Sequence, residues 1–139
     1  MVKKSDWKAL DMPEETEQFV LEMKLTDEQI DILKQGYLVK SMDSKWWAYC
    51  EENSLYIHRT WTGICAYKIE LSTNGKLQVT MNKDIAKMYG LNNLEDYKFL
   101  AQNHIHMIIK RQMRKFELNK DNEVARYNSK KNEQENELD

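Results

Sequence analysis

Between Lys45 and Asn82 apolar residues recur at every second position, and β-branched and aromatic side chains are dense among them. A period of two belongs to strands, because successive side chains on a strand point to opposite faces. Four strands are expected, over about 46–52, 55–60, 64–72 and 76–82, separated by short turn signals that suit an antiparallel meander.

The turns set the register. A three-residue loop at Thr73-Asn74-Gly75, with glycine left-handed, pairs Ile69 with Val79 and Tyr67 with Met81. A one-residue slip would turn Lys68 and Glu70 into the core. Treating Trp61-Thr62-Gly63 in the same way pairs Leu55 with Ile69, Ile57 with Tyr67 and Arg59 with Cys65. A two-residue loop at Asn53-Ser54 sets Cys50 opposite Ile57 and Ala48 opposite Arg59. The inner face then carries Trp46, Ala48, Leu55, Ile57, Cys65, Tyr67 and their apolar neighbours. The other face carries Trp47, Tyr49, Tyr56, His58 and Thr60, with Ile64 and Ala66. Such an aromatic face is either covered or binds something.

Arg59 stands among the inner-face residues, between the small neighbours Ala48 and Cys65. A guanidinium placed among apolar groups needs a carboxylate or an anionic ligand to offset its lost hydration. Its planar fork suits carboxylate or phosphate.

The flanking segments read as helix. Pro13 with Glu14, Glu15 and Glu17 looks like a helix start, and Phe19, Val20 and Met23 give a stripe to about Lys24. Thr26-Asp27-Glu28-Gln29 fits a capping box for a second helix that buries Ile30 and Leu33 and stops at Gly36. Tyr37-Leu38-Val39 reads as a short edge strand and Ser41–Ser44 as a loop. Asn82 caps a short helix over 84–89. Asn92-Asn93-Leu94-Glu95 opens the longest one, about 93–118, whose stripe Tyr97, Ala101, Ile105 and Ile108 would lie across the sheet. The basic residues Lys110, Arg111, Arg114 and Lys115 sit near its end, and 119–139 is almost wholly polar and charged. The expected organisation is a flexible lead-in over 1–12, one α+β domain over 13–118, and a charged, disordered tail over 119–139.

A formal net charge of −2 on 139 residues supplies no electrostatic drive towards nucleic acid or anionic membrane. No apolar run approaches the roughly 20 residues of a membrane span. No apolar core marks the N-terminal residues as a signal peptide, so a cytoplasmic protein is expected. Cys50 and Cys65 have no metal-ligand spacing and read as buried small hydrophobes. His104 and His106, two apart on a helix, point away from each other, and His58 is alone on its strand, so no metal or other cofactor is expected. His58 and Thr60 lie about 7 Å apart along one strand, without a glycine-flanked nucleophile turn. Four glycines leave no phosphate-cradling loop. The balance is against an enzyme.

The run Ser54-Leu55-Tyr56-Ile57-His58-Arg59-Thr60-Trp61-Thr62-Gly63 resembles a strand–turn signature of small, largely uncharacterised bacterial and phage proteins. There an aromatic residue or histidine is followed by arginine, serine or threonine, and then Trp-Thr-Gly. The resemblance extends from about Trp46 to Leu71. It implies a role for Arg59 and Trp61 beyond filling space, and no catalytic pattern.

The expectation is an α+β fold: a four- to five-stranded antiparallel meander with N-terminal helices and a long C-terminal helix on the sheet. The leading functional reading is non-enzymatic binding, or sequestration, of a small anionic, nucleotide-like ligand in a cleft between sheet and helix. Arg59 would clamp it, Trp61, Tyr67 or Tyr49 would stack on it, and His58, Arg111 and Arg114 would line the site. The alternative is a protein-interaction module of inhibitor or immunity type using Trp47, Tyr49 and Tyr56. A small nucleotide hydrolase or transferase is the third reading.

Overall fold

The computed structural model describes residues 1–39 and 44–138. The expected loop at Ser41–Ser44 lies, as far as Asp43, outside the described residues. The chain separates into two compact units, Met1–Ile109 and Lys110–Asp139.

The first unit is built on a five-stranded antiparallel sheet. Its strands are β1 (Thr16–Glu22), β2 (Trp46–Glu51), β3 (Ser54–Arg59), β4 (Cys65–Glu70) and β5 (Lys76–Asn82), in spatial order β1-β5-β4-β3-β2. Helices α1 (Asp27–Lys34) and α2 (Lys83–Met88) pack beside β2 and β5, respectively. A third helix, α3 (Leu94–Leu138), begins in the first unit and continues through the second. The fold is α+β.

The first helix expected from the sequence is instead β1. Phe19, Leu21, Met23 and Leu25 are buried while Gln18, Glu22 and Lys24 are exposed, an alternation of period two. Phe19 pairs with Val79 and Leu21 with Leu77, so the segment closes the otherwise open edge of β5. Pro13 and its acids mimic a helix start, but a ladder of edge hydrogen bonds outweighs a local propensity of a few tenths of a kcal/mol per residue.

The helix caps form from the residues that the sequence marks. Thr26 Oγ1 accepts from Gln29 N at 3.1 Å while Gln29 Oε1 accepts from Thr26 N at 3.0 Å. Asn82 Oδ1 accepts from Asp84 N at 2.9 Å, and Asn93 Oδ1 accepts from Asp96 N at 2.9 Å. Tyr37 forms a single bridge to Ala48 in place of a full edge strand.

Two details of register differ from expectation. The β2–β3 turn is Glu52-Asn53, both left-handed (φ 50° and 68°), as a two-residue hairpin of inverse twist requires. Cys50 therefore faces Leu55, Ala48 faces Ile57, and Trp46 faces Arg59. The shift is of two residues, so every side chain keeps its face and only the neighbours change. In the second hairpin Leu55↔Ile69 and Ile57↔Tyr67 pair as expected, but a bulge after Ile57 brings His58 opposite Cys65. Ala66 joins the helix-side core and Cys65 turns to the face of His58. On the helix side, Ala101, Ile105 and Ile108 of α3 close over Ile57, Tyr67, Ile69, Val79 and Met81.

Candidate functional site

The register places Arg59 at the end of β3, on the helix side, with its guanidinium carbon 5.0 Å from the centroid of the Trp46 ring. The imidazole of His104, from α3, lies 4.4 Å from the same indole. His104 Nδ1 is 3.1 Å from the hydroxyl of Tyr67, and Tyr89 approaches the imidazole edge-on at 6.4 Å. Four elements of the first unit thus converge: β2 supplies Trp46, β3 Arg59, β4 Tyr67 and α3 His104.

Burial sets the protonation states. His104 is pushed down to about 4, first by its removal from water and then by the neighbouring charge of Arg59. The Tyr67 phenol is raised well above its ordinary value, chiefly by burial. At neutral pH the cluster therefore holds one fixed positive charge beside neutral hydrogen-bonding groups. Among the described residues no carboxylate comes within 4.0 Å of the Arg59 guanidinium. Arg59 is half-buried, and its positive charge meets a π-face instead of an anion.

The other residues singled out in the sequence are distributed differently. Tyr67 belongs to the cluster but is fully buried, so it positions His104 and offers no surface for stacking. Trp61 sits at the turn after β3 and is 58% exposed. Arg111 and Arg114 belong to the second unit and are exposed there. His58 lies on the opposite face of the sheet, where it stacks on Trp47 at 5.2 Å and Tyr49 at 5.3 Å.

That opposite face is covered by the chain's own N-terminal segment. Trp47 Nε1 donates to Lys8 O at 3.0 Å, Trp7 Nε1 donates to Thr60 O at 2.7 Å, and Leu10 N donates to Gly63 O at 2.8 Å. Trp47, Tyr49 and His58 are buried as a result, and only Tyr56 of the expected interaction face is partly open. His58 shares Gly63 O at 3.0 Å through Nδ1, while its Nε2 and the hydroxyl of Thr60 have no hydrogen-bond partner among the described residues. Burial lowers the tendency of His58 to protonate and raises the Cys65 thiol to about 12, which makes Cys65 inert as a nucleophile.

The sequence puts Trp46 on the inner sheet face and gives His104 no part in the site. The signal for His104 was available: it lies three residues after Ala101 and four before Ile108, on the buried stripe of α3. For Trp46 the signal depended on choosing Glu52-Asn53 as the turn. Among the described residues no cluster of histidine, cysteine or acidic side chains is arranged to hold a metal ion. No described helix is long and apolar enough to cross a membrane. Comparison with family models, curated proteins and solved structures finds no match to this chain.

Proposed function

We propose that the protein binds a small anionic ligand of nucleotide type at Arg59 and does not turn it over. The observation that carries this reading is the Arg59 guanidinium, half-buried over Trp46 and without a carboxylate within 4.0 Å among the described residues. Part of its hydration is lost to the indole, and a phosphate or carboxylate would return that loss through two parallel hydrogen bonds. Trp46 and Tyr67 hold the arginine and His104 in place, and the exposed Trp61 is suited to stacking on a base.

Binding without turnover is supported by the protonation states. His104, at about 4, is a weak base at neutral pH, and the Tyr67 phenol is a weak acid. Neither is poised for proton transfer. The alternative, a protein-interaction surface on Trp47, Tyr49 and Tyr56, has less support, because residues 7–10 already lie over it. A cytoplasmic setting accords with two free cysteines.

The test is calorimetric titration with nucleoside mono-, di- and triphosphates and with inorganic phosphate. Arg59→Ala is expected to abolish binding while leaving far-UV circular dichroism and the thermal midpoint nearly unchanged. Undiminished binding by that variant, or no binding of any anion by the parent, would end the proposal.

A further inference from the structure

The second unit carries a surface that the anion site does not use. From Met113 to Asn128 every described side chain of α3 is exposed. Four of them are large and apolar and lie along one line: Met113 at 41% exposure, Phe116 at 46%, Val124 at 53% and Tyr127 at 67%. At about 100° per residue these four, with the aliphatic stem of Lys120, fall within an arc of about 80°. Leu118 lies well away from that arc. Met113 and Val124 are eleven residues apart, as are Phe116 and Tyr127. Eleven residues span about three full turns, so the stripe runs nearly straight along the helix. Isolated helices draw little stability from propensity alone and depend on packing an apolar face. Among the described residues of its own unit, none covers this face.

The stripe is also a mirror of itself. Phe116 and Val124 stand four residues to either side of Lys120, and Met113 and Tyr127 stand seven to either side. A second helix running the opposite way, with its own Lys120 at the crossing point, sets Val124 against Phe116 and Tyr127 against Met113. A closed two-fold contact requires that kind of self-complementarity. The charges agree. Glu117 and Glu123 lie three residues to either side of Lys120 and project about 60° from the stripe on its two flanks. The two Lys120 side chains meet at the crossing, where Glu117 and Glu123 of both copies surround two cations with four carboxylates. Arg114 and Arg126 point about 120° away from the stripe, clear of the contact.

We propose that residues 113–127 form an antiparallel self-association surface whose occupant is the same segment of a second copy of this chain. The contact spans roughly 21 Å of helix. That is short for a protein interface, so the dimer is concentration-dependent rather than permanent.

Sedimentation equilibrium on the full chain tests this. The mass is expected to rise with concentration from 16.7 kDa towards twice that value. Phe116→Glu is an exposed substitution whose helicity can be checked by circular dichroism, and it is expected to weaken association at least about tenfold. Lys120→Glu should do the same by leaving only carboxylates around the crossing, and adding Glu117→Lys and Glu123→Lys should restore the dimer. Direction is read by cross-linking through one introduced exposed cysteine in a Cys50→Ser background, where the remaining Cys65 is buried. Met113→Cys should not cross-link to itself but should cross-link to Tyr127→Cys in a mixture of the two. A monomer at every concentration, a Phe116→Glu variant as dimeric as the parent, or self-cross-linking of Met113→Cys would overturn the proposal.

Discussion

Lowering the pH from 7 to 5 should destabilise the fold chiefly through His104. In the folded chain its imidazole titrates at about 4, held down by burial and then by Arg59; in the unfolded chain it has the ordinary value near 6.5. Between those values the unfolded state binds the proton and the folded state does not, so stability rises with pH across this window and falls as acid is added. Integrating the difference gives a loss of about 2 kcal/mol between pH 7 and pH 5, approaching about 3 kcal/mol below pH 4. His58 contributes in the same direction, so the comparison must be made against a variant. His104→Gln removes the titrating group and keeps a partner for the Tyr67 hydroxyl. Urea unfolding of both proteins at pH 7 and pH 5 should show the parent losing about 2 kcal/mol more than the variant. Equal losses would refute the assignment. Should the variant fail to fold, NMR titration of the parent must place the His104 midpoint well below 6; a midpoint at 6.5 would refute the reasoning as directly.

Three further outcomes are expected. Because the charge of Arg59 is the second cause of the low His104 value, Arg59→Gln should move the His104 midpoint upward but short of 6.5, as NMR would read; an unmoved midpoint would mean the two groups do not interact. Gly36 and Gly75 are both left-handed (φ +74° and +88°), but a Cβ at Gly36 would meet Ala48 O at 2.6 Å and Val2 Cβ at 2.8 Å, whereas one at Gly75 meets nothing. Gly75→Ala should therefore lose about 1 kcal/mol and Gly36→Ala clearly more in urea unfolding, and equal losses would contradict the packing. Trp7→Ala removes the hydrogen bond to Thr60 O and part of the cover over Trp47 and His58; a loss of about 2 kcal/mol and a red shift of tryptophan emission are expected, and wild-type emission and stability would show that the segment is not held there.

The parts of the fold legible in the sequence were those governed by neighbours along the chain. Alternation between Lys45 and Asn82 marked four strands, and the Thr26–Gln29 and Asn82 caps marked helix starts, because each cap is closed by a group only two or three residues away. The Thr73-Asn74-Gly75 turn placed Tyr67 opposite Met81, since a glycine with positive φ fixes the offset. β1 was misread because its helix-like start is local while its partner, β5, lies about sixty residues away. The bulge after Ile57 carries no glycine or proline to announce it, and it moved Cys65 and Ala66 to opposite faces.

The sequence by itself determined that Arg59 would sit among apolar groups on the helix side of a meander, because strand parity depends only on counting. The mirrored stripe about Lys120 emerges only once α3 is seen to run through residues 113–127, because sequence separation converts to an angle only on a helix. Tertiary structure alone decided that Trp46 and His104 surround that arginine, and that the aromatic face beyond it is closed by Trp7 and Lys8. Those outcomes depend on which segments meet across the fold, and contact between residues far apart in the chain is set by competition for buried surface and hydrogen bonds.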